Sequence, residues 1–217
     1  PPTKSAFVLR WVKNSFFTKF FLIAILTTTP CSLFANSLFG SNLIFNGDGD
    51  AGLASSNGSV VPTIPGWMTI GNFTTVQYGA PGGFPLDTDT GPLNRGNNFF
   101  AGGIDGESIM TQTLDISDLL NEEKSLLNFE LTAYLGGFET QEDTANFMVV
   151  FIDKNGQEIK TNVIYGPNVT ERNSETKLIL KKISGKLPLG VIKVKFVVET
   201  KGKHGYADNL SFKLKRP

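Results

Sequence analysis

The 217-residue sequence is poor in the residues that most catalysts depend on, with one histidine and one cysteine. His204 sits in a "KGKHGY" stretch and is expected to be a solvated turn residue. No Ser-His or Cys-His arrangement can be assembled around it, and a "GxSxG" elbow is missing. No His/Cys cluster offers a zinc site. The "GG" pairs lack the strand-to-helix setting and the lysine of a phosphate loop, so nucleotide binding is unsupported. Asp105, Glu107, Glu130, Glu139 and Asp143 could supply the carboxylate pair of a glycosidase. The E-x-D-x-x-E strand pattern of jelly-roll glycosidases is nevertheless absent. These gaps argue against an enzyme.

A long hydrophobic run is also lacking. "FFLIAIL", residues 20–26, is far too short to span a bilayer. It follows Lys4, Arg10, Lys13 and Lys19 with no intervening acid, and it precedes Pro30 and "CSLFANS". That layout is expected for a secretory signal peptide over residues 1–35, followed by a single domain over residues 36–217 and an extracellular location. Cys31 falls inside the signal, and Pro30 stands where a lipoprotein signal would carry Ala or Gly. A mature domain without cysteine has no disulfide to hold it, so it needs a large core or metal ions. A large excess of one charge is lacking as well. Removing the four leading cations from the 20 basic residues leaves 16 against 20 acidic ones, a net of about −4. Nucleic acid is therefore not an expected partner, and the mature protein has no expected membrane span.

What the sequence does have is short β patterns punctuated by Gly, Pro, Asn and Asp. "NFMVVFIDKNGQEIKTNVIY" is two apolar runs around Asn155-Gly156, a hairpin with positive φ in its turn. In "VIKVKFVVET" the alternation points Ile192, Val194, Phe196 and Val198 inward and Lys193 and Lys195 outward. "LLNFELTAYL", "KLILKKI" and "YADNLSFKL" read similarly, and only "DISDLLNEEKS" suggests a helical turn, capped by Asp115 or Ser117. Roughly ten strands without intervening helices predict an all-β fold, a two-sheet antiparallel β-sandwich (jelly roll). Residues 78–106 are rich in Gly and Pro and are expected to form a long ordered loop over one sandwich face.

Oxygen ligands for calcium are plentiful. "DGDAG" (Asp48, Asp50, Gly52) and "DTDTG" (Asp87, Asp89, Gly91) resemble the start of an EF-hand loop. Neither completes one, because position six is Leu53 or Pro92 and position twelve is Ser59 or Asn98. A site assembled from separate loops stays open beside the plainer reading of acidic turns.

The two ends of the expected domain carry a resemblance. "NLIFNGDGD" is similar to the "N-L-hydrophobic-x-N-G-x-F-E" opening of secreted carbohydrate-binding modules of the family 4, 9, 16 and 22 type. "YADNLSF" resembles their closing "D-D-V-S-L" strand, and "PGW" with "TQTLDIS" matches their early tryptophan and Gln-containing strand. The resemblance implies a galactose-binding-domain-like jelly roll with one structural calcium. Its ligands would be Asp50 and Asp208, with Asp48 as a possible helper. It also implies a non-catalytic glycan-binding role, with aromatic faces stacked on sugar rings. Tyr78, Phe84, Arg95, Trp67 and Tyr134 are the candidate contacts. For Trp67 a core position is the competing expectation. The alternative function is a structural or adhesive subunit of an extracellular matrix or surface assembly. The partner is accordingly a glycan or a matrix component.

Overall fold

The structure, a computed structural model, describes residues 39–104, 106–119 and 126–217. The expected signal peptide and Asp105 lie outside the described residues. Among these residues ten strands form two five-stranded antiparallel sheets. The first sheet takes β1 (Met68–Ile70), β4 (Ser108–Asp115), β9 (Val191–Lys201), β6 (Thr144–Asp153) and β7 (Glu158–Ile164), in that spatial order. The second takes β2 (Thr74–Gln77), β3 (Asn98–Ala101), β10 (Tyr206–Lys215), β5 (Asn128–Gly137) and β8 (Lys177–Lys186). The expected jelly-roll sandwich is what the chain forms. Among the described residues no helix is long and apolar enough to cross a membrane.

The main core lies between the sheets. Period-two alternation sends Phe129, Leu131, Ala133 and Leu135 of β5 inward, against Phe147, Val149 and Phe151 of β6. Phe212 joins both sets, stacking on Phe129 at 6.0 Å and tilting against Phe151 at 6.4 Å. Each such ring removes a large apolar area from water, and truncating one to alanine costs about 3–5 kcal/mol. In β9 the inward set is Val191, Val194, Phe196 and Val198. Ile192 was expected among them, but a register shift between Lys193 and Val191 opposite β6 moves it to a half-buried position. The β6–β7 hairpin forms as expected, with positive φ at Gly156. Asp153 accepts the Asn155 and Gln157 amides and so fixes the turn. A 3-10 turn at Ser117–Leu119 follows β4, with Asp115 capping the Ser117 amide.

A second, smaller core sits on the outer face of the second sheet. Alternation along β3 sends Phe100 into the main core and Phe99 outward, where Phe84, Leu178 and Tyr206 meet it. The chain from 78 to 97 folds over these residues as a lid-like loop. The 78–106 stretch, expected to be all loop, contains β3, whose two adjacent phenylalanines serve opposite faces of one sheet. His204, expected to be solvated, is also drawn in: it is 9% exposed and ringed by Phe84, Phe138 and Tyr206.

Candidate functional site

The opening motif "NLIFNG" is a fastening device. Residues 39–47 run alongside β10, with main-chain bonds from Gly40 to Leu214, Leu43 to Phe212 and Leu210 to Gly47. Asn42 bridges the gaps: its amide nitrogen donates to Leu210 O and its oxygen accepts from Phe212 N. Asn46 holds a positive φ of 51° and binds Ala51 and Pro65 through its side chain. A Cβ on Gly47 would stand 2.2 Å from Leu210 O, so only glycine permits this approach. Opening and closing segments therefore lie side by side, and three aspartates gather near their junction.

Asp208 is fully buried on the outer face of β10. Its Oδ2 accepts the Tyr78 hydroxyl at 2.6 Å, and its Oδ1 accepts the Asn209 amide at 2.7 Å. Burial pushes its carboxyl up to about 7, against these two hydrogen bonds, and repulsion from Asp48 and Asp50 adds to the rise. Asp48 and Asp50 are exposed. Asp50 Oδ1 accepts the amides of Asn97 and Asn98, so this acid anchors the end of the loop where it enters β3. Asp50 and Asp208 thus each have their own partners. Among the described residues no three Asp, Glu, His or Cys side chains converge on one point. A cation here would draw on main-chain and amide oxygens beside these carboxylates, which calcium accepts. In "DTDTG", Asp89 accepts the Leu86 amide and caps a turn.

The aromatic candidates divide sharply. Trp67 is core: it is 7% exposed, donates its indole N–H to Asn46 O and meets Phe100 edge-on at 6.0 Å. Phe84, expected as an exposed contact, is 4% exposed in the small outer core. Tyr78 is tied to Asp208, and burial, followed by that carboxylate, raises its phenol well above the usual range. Arg95 lies over the Tyr78 ring at 5.0 Å and donates to the carbonyls of Pro92, Leu86 and Asp89. Tyr78 and Arg95 therefore hold the loop shut.

Tyr134 is different. Strand register pairs it with Leu180 on one side and Asp208 on the other, on the outer face of the second sheet. It is half-buried and lines a groove of about 420 Å³. Thr132, Leu180, Ser211 and Lys213 share its floor, while Asn94, Asn209 and Asp48 stand at the end nearest the loop. Asn209 donates to Asn94 Oδ1 at 3.2 Å, which ties the loop tip to β10. Its φ of 48° accompanies the register shift between Asp208 and Ser211. An aromatic ring, an aliphatic neighbour and planar amides suit a sugar ring and its hydroxyls. A larger cleft of about 810 Å³ opens between the loop and residues 138–139 and 174–176. Tyr134 is an expected contact, whereas Asn94, Asn209 and Lys213 are not, because no local pattern signals that loop, bulge and strand meet there.

No family model matches this chain, and no curated protein matches it. Several solved structures are similar to it. The enzymatically active domain of bacteriophage CBA120 tailspike protein 4 is 14% identical with a TM-score of 0.48, over 80% of this chain and 21% of that one. A family 61 carbohydrate-binding module in complex with β-1,4-galactotriose is 13% identical, at a TM-score of 0.43, over 82% of this chain and 99% of the module. The family 22 xylan-binding domain from Paenibacillus barcinonensis is 10% identical, at a TM-score of 0.43, over 76% of this chain and 93% of that domain.

Proposed function

We propose that this chain is a secreted, non-catalytic carbohydrate-binding β-sandwich that holds its ligand in the Tyr134 groove. The observation that carries the reading is Tyr134 itself, half-exposed on a groove floor with polar side chains around it; Tyr78 is also half-exposed beside a cleft, but its hydroxyl is held by Asp208 and its ring by Arg95. A sugar ring stacks on the phenol face, and Asn94, Asn209 and Ser211 meet its hydroxyls. One calcium ion at the Asp48, Asp50 and Asp208 end is part of the proposal, offsetting the mutual repulsion of those acids. Titration of wild type and Tyr134→Ala against a glycan panel tests the reading. Binding lost in the variant at an unchanged melting temperature supports it, whereas equal binding by both proteins removes the site.

A second reading, a subunit of a surface or matrix assembly, is favoured by the outer face of the first sheet. Met68 and Ile70 are 77% and 68% exposed there. Register places Met68 in one row with Thr111, Val197, Met148 and Val163, and sets Ile70 beside Ile109 in the next. Sedimentation of the purified protein at rising concentration tests this reading, and a persistent monomer counts against it.

A further inference from the structure

We propose that the groove takes an anionic polysaccharide, one whose sugars carry carboxylate or sulfate groups; this rests on the glycan reading of the same groove. Strand register decides which side chains continue the floor beyond Tyr134. With Phe212 and Leu214 buried in the main core, Ser211, Lys213 and Lys215 of β10 face outward. Their partners on β5 are Thr132, Glu130 and Asn128, and across β5 on β8 stand Lys182, Ser184 and Lys186. Three successive rows thus hold four lysines and a single carboxylate.

That carboxylate is already taken. Glu130 Oε2 accepts Lys215 Nζ at 2.7 Å and Lys182 Nζ from the other side. The two lysines hold the Glu130 carboxyl below the usual range. Lys213 and Lys186 have no ion-pair partner among the described residues. These rows carry a net charge of about +3 in a chain whose formal net charge is zero. Rows on one face of a strand repeat every ~6.8 Å, so the three basic rows span roughly 14 Å and the last of them lies about 20 Å from Tyr134. The acids Asp48 and Asp208 lie at the opposite end, by the loop. A chain bearing one anion per sugar or per few sugars would lay successive charges along these lysines while one ring sits on Tyr134. The lysine rows expose no apolar side chain that could enter a lipid surface, so charge complementarity with a glycan is favoured over a membrane.

The test is calorimetric titration of the full chain against polygalacturonate, dextran sulfate and neutral β-1,4-galactan, with anionic phospholipid vesicles as a fourth arm. A polyanionic glycan is expected to bind more tightly than galactan, and to weaken as salt is raised. Lys213→Gln and Lys186→Gln should each lower that affinity by up to about fivefold without changing thermal stability. Preference for polygalacturonate names the carboxylate and preference for dextran sulfate names the sulfate; either supports the proposal. Equal affinity for galactan and both polyanions, untouched by the lysine substitutions, overturns it and leaves the glycan reading standing. Failure to bind any of the three glycans, with or without binding to the vesicles, overturns both.

Discussion

The Tyr78 hydroxyl donates to Asp208 Oδ2 at 2.6 Å, joining the start of the covering loop to the last strand across 130 residues of sequence. A buried carboxylate that loses a donor bears the full desolvation cost of that oxygen. Tyr78→Phe, which keeps the ring beneath Arg95, should therefore destabilise the fold by about 1–3 kcal/mol at pH 8. Urea denaturation of the two proteins checks this.

The same acid makes stability depend on pH. Asp208 is raised from the usual carboxylate range to about 7 in the folded protein. Between those values the folded state holds a proton that the unfolded state has released. The contribution is fully present below about pH 4 and is lost as pH rises through about 7. In metal-free buffer the unfolding free energy of wild type should fall over that window relative to Asp208→Asn. Parallel profiles for the two proteins would show that Asp208 titrates normally.

Calcium should act on the charged side of that titration. At pH 8, above the Asp208 titration, an ion that binds only the folded state at a hundred times its dissociation constant adds about 2.7 kcal/mol. Addition of EDTA should lower the melting temperature by several degrees, and Asp208→Ala should remove that response. Identical melting with EDTA and with millimolar calcium would leave Asp48 and Asp50 as turn and loop anchors.

The aromatic candidates should separate by readout. Trp67→Ala and Phe84→Ala empty buried volume and should each cost about 3–5 kcal/mol. Tyr134→Ala should cost at most about 1 kcal/mol and act on binding instead. Thermal melts paired with glycan titrations distinguish the two behaviours.

Two glycines should differ in what a side chain costs. A Cβ on Gly96 would stand 1.4 Å from Asp50 Oδ2, and one on Gly47 would stand 2.2 Å from Leu210 O. Gly47→Ala must move backbone and should destabilise more than Gly96→Ala, where the Asp50 carboxylate can rotate away at the expense of its bonds to Asn97 and Asn98. Denaturation midpoints rank the two.

The sandwich was legible because its strands carry the period-two pattern that a half-buried sheet requires, as β5 and β6 do. Ile192 marks where that reading slips: one bulge shifts the inward set to Val191, and no side-chain chemistry announces a bulge. Phe99 and Phe100 hid a strand, because a four-residue segment buried on both faces has no alternation to display. Asp50 and Asp208 could be placed near each other from the two end motifs. Their separate partners could not, since Tyr78, Asn97 and Asn98 come from elsewhere in the chain. Tyr134 was ambiguous for a related reason: its strand fixes which face it takes, but only the folded loop decides whether that face stays open.

The pairing of residues 39–47 with β10 has a mechanical consequence. Phe39 is beside Leu214, and the bonds from Gly40 to Leu214, Leu43 to Phe212 and Leu210 to Gly47 follow one another inward. Tension applied across the two ends of the sandwich would load these bonds one after another, as a zipper is pulled, and not together in shear. A tether through both ends would peel the fold at low force. A pull between the β10 end and a ligand seated on Tyr134 would instead be carried by the long pairing of β10 with β5.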